Sequence, residues 1–248
     1  MASSSIALLA MLRPVEVAGS TLADHVASQL DAAIALGIVP EGSRLPSEPE
    51  LALALGVSQM TLRSALATLR SKGLIVTIRG RGGGSVVQGC IEPPESAIRR
   101  RLLRTGAEEL RDIGDLYSAV ASAAAGLAAG RADENDIKAL DDLAGLLAQA
   151  GTPSEFWRAA SRFQVMVGIA AQSSRLTTSL LRIQIELSGL RSNLIDRSAG
   201  SAHSRIVDAI RDGDEATASA EAARQCAGEM HALIDRRLRL LIEDGDPR

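Results

Sequence analysis

The sequence predicts a mainly α-helical protein with two parts: an N-terminal unit of three helices and a β-hairpin, then an all-α antiparallel bundle of longer helices. Apolar residues recur at helical spacing over most of the 248 residues. A glycine-rich run between two β-rich stretches interrupts that spacing at residues 74–88, and Pro93-Pro94 marks a change of composition soon afterwards. With 46% hydrophobic residues, the chain can bury the cores of two domains.

Capping residues place the three helices of the first part. Residues 21–36 carry apolar side chains at helical spacing behind a threonine N-cap. Ser47 and Glu50 are three positions apart and form a capping box, which begins a short helix over residues 48–55. A glycine closes this helix, and a serine N-cap begins a third helix over residues 58–72.

Residues 74–88 are predicted to form a two-stranded hairpin, because LIVTI and SVV are β-rich and RGRGGG supplies the glycines of a turn. Helices joined by a tight turn and followed by a hairpin make a winged helix-turn-helix. We therefore assign residues 15–89 to a winged helix-turn-helix DNA-binding domain. Its third helix would lie in the major groove, while the hairpin would reach the neighbouring backbone or minor groove.

The distribution of charge supports this assignment. The chain as a whole is slightly acidic, with a net charge of -3 and a pI near 5.7, so a surface for nucleic acid must be a local patch. Residues 51–91 contain no Asp or Glu, and their basic residues are Arg63, Arg70, Lys72, Arg79 and Arg81. A carboxylate in this segment would face phosphates and oppose binding.

The second part is predicted to be a helical bundle. Residues 90–104 are interpreted as a linker that runs into a helix, and residues 105–244 as an all-helical domain. Its predicted helices cover residues 107–131, 134–150, 153–171, 174–197, 201–212 and 214–243.

Cysteine usage and hydropathy indicate a soluble, cytoplasmic protein. Cys90 and Cys226 are the two cysteines, and their wide separation favours free thiols in a reducing compartment. The early apolar run over residues 6–12 is short and lacks a preceding basic residue, so it does not match a secretory signal. No later segment has the length of a membrane span.

The motifs of the first part resemble the GntR family of bacterial transcription regulators. The chain carries, in order, P-x-G-x-R-L-P-S-E, L-A-x-x-x-G-V-S, L-R-x-A-L-x-x-L-x-x-x-G-L-I and R-G-x-G-G-x-x-V. The second part resembles the FCD effector domain of the FadR-type branch, through LAAGRADENDIKALDDL and HSRIVDAIRDGDEATASA. The resemblance implies a homodimer that binds a palindromic double-stranded DNA operator, acts as a repressor, and responds to a small organic effector bound in the bundle.

The family's DNA contacts can be carried over to this chain, and Arg81 is added because it lies on the hairpin. At Arg44, contact with DNA and an ion pair with Glu48 or Glu50 are equally supported. Gln59 stands where relatives often have Arg, and since Gln prefers adenine and Arg prefers guanine, the operator can differ at that base pair. Pro49 is a second departure, at a position where the FadR type has Arg. The predicted DNA-binding residues are Arg44, Ser58, Gln59, Thr61, Arg63, Arg79, Gly80 and Arg81.

Many FCD domains hold a divalent metal with an Asp, a His four residues later, and two further His. In this chain the corresponding positions are Ala160, Gln164, His203 and Gln225, so one ligand of four remains. Amides are weak neutral ligands for a transition metal. His231 lies six residues beyond Gln225, on a different face of a helix, and does not complete the set. We therefore predict no bound metal and no other cofactor.

The effector-binding residues implied by the resemblance are Tyr117, Gln164, Arg191, His203 and Gln225. Tyr117 stands where many relatives carry an Arg that reads an acidic effector. Arg191 is then a candidate partner for a carboxylate, although an exposed arginine on a helix is the ordinary interpretation. Without the metal and that Arg, the pocket favours an apolar or acyl ligand over a small hydroxy acid, and a carboxylate stays an alternative.

Two other functions compete with a regulator. An enzyme is not predicted, because the three histidines are scattered at 25, 203 and 231 and no catalytic spacing is present. The remaining alternative is a metal-independent interaction or sensor protein with a weakened DNA-binding domain, which Gln59 and Pro49 alone support.

Overall fold

The computed structural model describes residues 21–78, 80, 83–88, 94–191 and 198–245. The chain divides into two compact units, Met1–Glu92 and Pro93–Arg248. The predicted fold class is confirmed: the described part of the first unit consists of three helices and a two-stranded sheet, and that of the second unit is helical.

Within residues 21–88, the first unit contains three described helices: α1 (Leu22–Ala35), α2 (Glu48–Leu55) and α3 (Gln59–Ser71). Each begins at a capping side chain that the sequence displays. Ser47 and Glu50 cap α2 reciprocally, since the Glu50 amide donates to Ser47 Oγ at 3.4 Å and the Ser47 amide donates to Glu50 Oε2 at 3.0 Å. The Ser47 hydroxyl also donates to Glu50 Oε2 at 2.7 Å, and this bond, with the bond from the Ser47 amide, holds the pKa of Glu50 below its ordinary value of 4.5. Gly56 ends α2 in the left-handed region at φ 69°, which a side chain would disfavour.

The hairpin consists of β1 (Ile75–Ile78) and β2 (Gly84–Val87), paired antiparallel with Ile75 opposite Val87. The chain before α2 adds to the free edge of β2, because the Leu45 amide donates to the Ser85 carbonyl at 2.9 Å and the Val87 amide donates to the Ser43 carbonyl at 3.0 Å. These backbone bonds fix the wing to the segment that leads into the helix-turn-helix.

Seven helices are described in the second unit. They are α4 (Glu95–Arg104), α5 (Ala107–Arg131), α6 (Glu134–Gln149), α7 (Pro153–Ala170), α8 (Ser174–Ser188), α9 (Ser198–Arg211) and α10 (Glu215–Gly245). Most lie within one or two residues of the predicted bounds. Residues 95–104, predicted as the end of a linker, form a regular helix that buries Ile98 and Leu102 in this unit.

The prediction of one helix over residues 174–197 was wrong, because α8 ends at Ser188. The Arg101 guanidinium lies directly against Gly189, so a Cβ at this position would displace it. Arg101 Nη2 also donates to the Glu186 carbonyl at 3.3 Å, which satisfies an acceptor at the end of α8. Residues 192–197 lie outside the described part of the chain.

Small residues allow α5 and α10 to pack closely along their lengths. Gly114 of α5 lies against Met230, whose Cγ would be 3.1 Å from a Cβ at that glycine. Gly126 lies closer still to the hydroxyl of Ser219, which donates to the Ser122 carbonyl at 3.1 Å. The core of the second unit therefore forms around this helix pair. In the described residues no helix is long and apolar enough to cross a membrane.

We expect Ser47→Ala to loosen α2. Loss of an N-cap serine costs about 1 kcal/mol, so amide hydrogen exchange in peptides covering α2 should accelerate roughly fivefold. Because the folded pKa of Glu50 lies below 4.5, its stabilisation is complete above that pH and is lost as the pH falls through the lowered value. The difference between variant and wild type should therefore become smaller in acid, where only the bond from the Glu50 amide to Ser47 Oγ still distinguishes them. Ser64→Ala, on the exposed side of α3, is the matched control and should leave exchange in α2 unchanged.

Candidate DNA-binding and effector sites

The N-terminal turn of α3 is exposed, and none of its own residues is acidic. Ser58 caps the helix, with the Thr61 amide 3.1 Å from its hydroxyl, and the two hydroxyl groups lie 2.8 Å apart. Gln59 and Arg63 are exposed on the same end of the helix. The cap thus fixes the helix start, and the amide of Gln59 is left accessible to a partner.

Arg63 is held by an acid from the preceding helix. Its Nε lies 2.7 Å from Glu48 Oε2, and 64% of the Arg63 side chain remains exposed. The ion pair uses one edge of the guanidinium, so both terminal nitrogens stay available for phosphate or base contacts. From the sequence, Glu48 was considered as a partner for Arg44, and its pairing with Arg63 depends on how α2 and α3 pack.

Both acids considered as partners for Arg44 bind other residues: Glu48 forms an ion pair with Arg63, and Glu50 accepts a hydrogen bond from Ser47. The backbone of Arg44 instead forms a β-bridge with Val86 of the wing, and a Cβ at Gly84 would lie 3.4 Å from Arg44 Cδ. Arg44 is exposed beside the wing.

The wing turn contains Gly80 at φ 110°, a conformation that favours glycine. The Gly83 amide donates to the Gly80 carbonyl at 2.8 Å and closes the turn. The predicted contacts Arg79 and Arg81 lie outside the described residues.

In the second unit, a buried cluster of polar side chains surrounds Arg191, which is only 4% exposed. The guanidinium donates from Nε to Glu229 Oε1 at 2.8 Å, from Nη1 to Ser161 Oγ at 2.5 Å and from Nη2 to Gln184 Oε1 at 2.6 Å. Its carbon atom Cζ lies 4.8 Å from the ring centre of Trp157. The interpretation of Arg191 as an exposed helix residue was therefore wrong. The end of α8 at Ser188 turns it inward.

Tyr117 lies in the same cluster and is fully buried. Burial raises the pKa of its hydroxyl well above 10, and the proximity of Cys226 and Glu229 adds to the effect, so the phenol stays protonated. Burial likewise raises the pKa of the Cys226 thiol. The charged groups of the cluster are thus Arg191 and Glu229, and their opposite charges give it no net charge.

The positions that correspond to the family's metal ligands are occupied by side chains that bind one another. Gln164 Nε2 donates to Gln225 Oε1 at 2.7 Å, and the Cys226 thiol donates to the same oxygen at 3.5 Å. His203 is buried and packs its ring edge-on against Phe163, with 4.8 Å between ring centres. Among the described residues, no group of three His, Cys, Asp or Glu side chains could hold an ion. These residues do not fit a divalent metal.

The structure brings together most of the residues that the sequence selected in the bundle. Tyr117 and Arg191 share one cluster, Gln164 and Gln225 are bonded to each other, and Cys226 joins the two groups through its proximity to Tyr117. Sequence reasoning did not find Ser161, Gln184 and Glu229. Their partner Arg191 is between 7 and 38 residues away in the chain, and no motif marks those separations.

Comparisons with known proteins agree with both units. The family model described as bacterial regulatory proteins, gntR family, matches residues 22–84, and the FCD domain matches residues 112–236. The HTH-type transcriptional regulator RmpR of Mycobacterium gastri is 42% identical over 164 residues, which are 66% of this chain and 60% of RmpR. Rv0494 of Mycobacterium tuberculosis, also named as an HTH-type transcriptional regulator, is 35% identical over 52% of this chain and 53% of its own.

The chain therefore spans between half and two thirds of the length of these relatives. Among solved structures, Escherichia coli McbR/YncC has the same fold, with a TM-score of 0.54 and 17% identity over 88% of this chain and 99% of that one. A winged helix-turn-helix followed by an all-helical domain defines the class of bacterial HTH-type regulators. The chain belongs to the gntR family of that class and carries an FCD domain.

We expect Glu229→Ala to destabilise the second unit strongly. It leaves the Arg191 charge buried without its counterion, which costs about 3–5 kcal/mol. Urea unfolding followed by tryptophan fluorescence measures this unit specifically, because Trp157 is the one tryptophan of the chain. Asp141→Ala is the matched control, since Asp141 pairs with Arg211 at 2.7 Å on the surface and its loss should cost less than about 1 kcal/mol. Equal losses in the two variants would contradict the buried pair.

Proposed function

We propose that the protein is a cytoplasmic transcription repressor of the gntR family that binds a two-fold symmetric operator as a homodimer and releases it when a small organic effector enters the FCD domain. The observation that supports this most directly is the first turn of α3, where Gln59 and Arg63 are exposed, no carboxylate precedes them in the helix, and Glu48 orients the arginine.

This surface has the chemistry of a reading helix. An amide can bond adenine through N6 and N7, so Gln59 is proposed to select an A·T pair, while Arg63 contacts guanine or phosphate. Ser58 and Thr61 place hydroxyl groups beside them. Arg44 and Gly80, with Arg79 and Arg81, are proposed to contact the DNA backbone next to the groove.

The effector is proposed to bind at the buried polar cluster of α5, α7, α8 and α10. Such a cluster suits a regulatory site because it joins side chains from four helices, so a ligand there can favour one packing of those helices over another. Tyr117, Arg191 and Gln164 with its partner Gln225 are the proposed ligand-facing residues, and His203 flanks them.

An interaction protein without DNA binding is less well supported. Pro49 lies in the first turn of α2, where a proline is compatible with the helix. The departure at this position therefore leaves the helix-turn-helix intact, and Gln59 is exposed as a DNA-reading residue should be.

We expect Arg63→Ala to weaken DNA binding about 5- to 150-fold, because a lost base or phosphate contact costs about 1–3 kcal/mol. A library of random duplexes is first selected on the wild-type protein, and the affinity of the selected duplex is then measured by fluorescence anisotropy at several salt concentrations. The wild-type affinity should fall steeply with salt, and two chains should bind per duplex.

Arg175→Ala is the control for this experiment. It removes the same charge from an exposed position on α8 and should bind the duplex as the wild type does. If no duplex is enriched at low salt, or if both variants bind equally, DNA recognition by α3 is refuted.

A further expectation concerns metals. Elemental analysis of protein purified without chelator should find far less than one transition metal per chain, because Gln164 and Gln225 use their amides on each other. EDTA should leave both the unfolding midpoint and DNA affinity unchanged. A stoichiometric ion, or a lower midpoint after chelation, would contradict this expectation.

A further inference from the structure

The buried cluster also indicates which chemical class of ligand it accepts, and this step rests on the effector site proposed above. Arg191 is the obvious anchor for a carboxylate, but the protein already supplies one. Glu229 Oε1 lies 2.8 Å from Nε and 2.7 Å from Nη2 of Arg191. Ser161 and Gln184 accept hydrogen bonds from other N–H groups of the same guanidinium. The guanidinium has five N–H donors, and most of them are therefore engaged.

Three other polar atoms in the cluster are buried and have no hydrogen-bond partner within the described residues. They are the hydroxyl oxygen of Tyr117, Nε2 of Gln184 and Oε2 of Glu229. Gln184 and Glu229 are neighbours, because both place an oxygen on Nη2 of Arg191. Tyr117 lies within electrostatic range of Glu229 and Arg191, and its hydroxyl is close enough to the side chain of Gln184 to interact with it, although their geometry does not make a hydrogen bond.

Such atoms normally have partners, since leaving a polar group buried and unpaired is costly. The three atoms differ in kind. Glu229 Oε2 is an acceptor, Gln184 Nε2 is a donor, and the protonated hydroxyl of Tyr117 can act as either. A molecule that satisfies them together must offer at least one donor and one acceptor.

The charges of Arg191 and Glu229 exclude further classes of ligand. A ligand carboxylate has only acceptors when ionised, so it would face Glu229 Oε2 without a proton between them, in a place where the Arg191 charge is already neutralised. An ammonium group has only donors, so it would leave Gln184 Nε2 unpaired and would lie close to the Arg191 guanidinium.

We propose that the cluster binds a neutral group that carries both a donor and an acceptor, of which the primary carboxamide is the best fit. The amide N–H donates to Glu229 Oε2, and its carbonyl accepts from Gln184 Nε2 and the Tyr117 hydroxyl. The remainder of the ligand lies along the Trp157 ring and the apolar core. Glu229 is thus a specificity residue that excludes carboxylates from Arg191.

Matched probes test this proposal: propionamide against propionate, and benzamide against benzoate, each titrated at neutral pH into the full chain. Tryptophan fluorescence reports binding, since Trp157 stacks on Arg191. We expect the wild type to bind an amide at least about tenfold more tightly than its acid, the difference that one unmade buried hydrogen bond produces. In Glu229→Gln, where the Arg191 charge is no longer neutralised, the order should reverse.

Tyr117→Phe provides a second test that does not depend on how well the charge variant folds. It removes a hydroxyl that has no partner in the described residues, so the unfolding midpoint should stay equal or rise, while amide affinity falls about tenfold. Ser219→Ala removes a hydroxyl that is bonded elsewhere in the bundle and should leave amide affinity unchanged.

Three outcomes would overturn the proposal: tighter binding of the acid than of the amide by the wild type, no binding of any probe, or full amide affinity in Tyr117→Phe. DNA affinity of the same preparations is measured in parallel on the selected duplex. Loss of amide selectivity with intact DNA binding refutes the ligand class alone, whereas absence of DNA binding refutes the proposed regulator.

Discussion

The second unit depends on the burial of one ion pair. Arg191 lies just beyond the end of α8, and its guanidinium contacts Ser161 of α7, Gln184 of α8 and Glu229 of α10. A buried charge is tolerated only when its counterion and hydrogen-bond partners are in place together. Each of these helices is therefore constrained in its position along the others, and a shift of α10 would separate Glu229 from Arg191. The packing of α5 against α10 extends this constraint to the helix that carries Tyr117.

The first unit contains an ion pair on its surface. Helix α3 lies in a stretch of sequence without acids, and the carboxylate that pairs with Arg63 comes from Glu48, outside that stretch. The pair is exposed, so it contributes little to stability, and its main effect is on the orientation of the guanidinium. The contact with Glu48 is made through Nε, which leaves the two terminal nitrogens of Arg63 free of that carboxylate.

Local signals made most of the fold predictable. Thr21, Ser47 with Glu50, and Gly56 are caps or stops whose effects extend over a few residues, and the helices beside them begin and end where the caps indicate. The end of α8 was missed because Gly189 is followed by Leu190, so the apolar spacing continues. The arginine that binds the last turn, Arg101 of α4, is 85 residues from Glu186, so no local pattern marks this contact.

The polar cluster of the second unit was predicted only in part, because its contacts also join residues that are far apart in the sequence. Tyr117, Gln164, Arg191 and Gln225 could be selected by their positions in a family pattern, but their partners could not. Arg191 and Glu229 are 38 residues apart, and Gln164 and Gln225 are 61 apart, so neither pairing follows from a helical or strand period. Charge compensation in a core is a property of the packed helices and leaves no trace in local sequence.

The two departures from the family's metal and arginine positions are physically linked. A metal or an additional arginine would bring positive charge into the cluster, and that charge would favour an acidic ligand. Here Gln164 and Gln225 are neutral and bonded to each other, and Tyr117 remains protonated in its buried position. The one remaining cation, Arg191, is neutralised by Glu229 within the described residues. An anion entering such a site gains no net attraction and loses its hydration, so the electrostatics of the core, rather than its shape, exclude carboxylates.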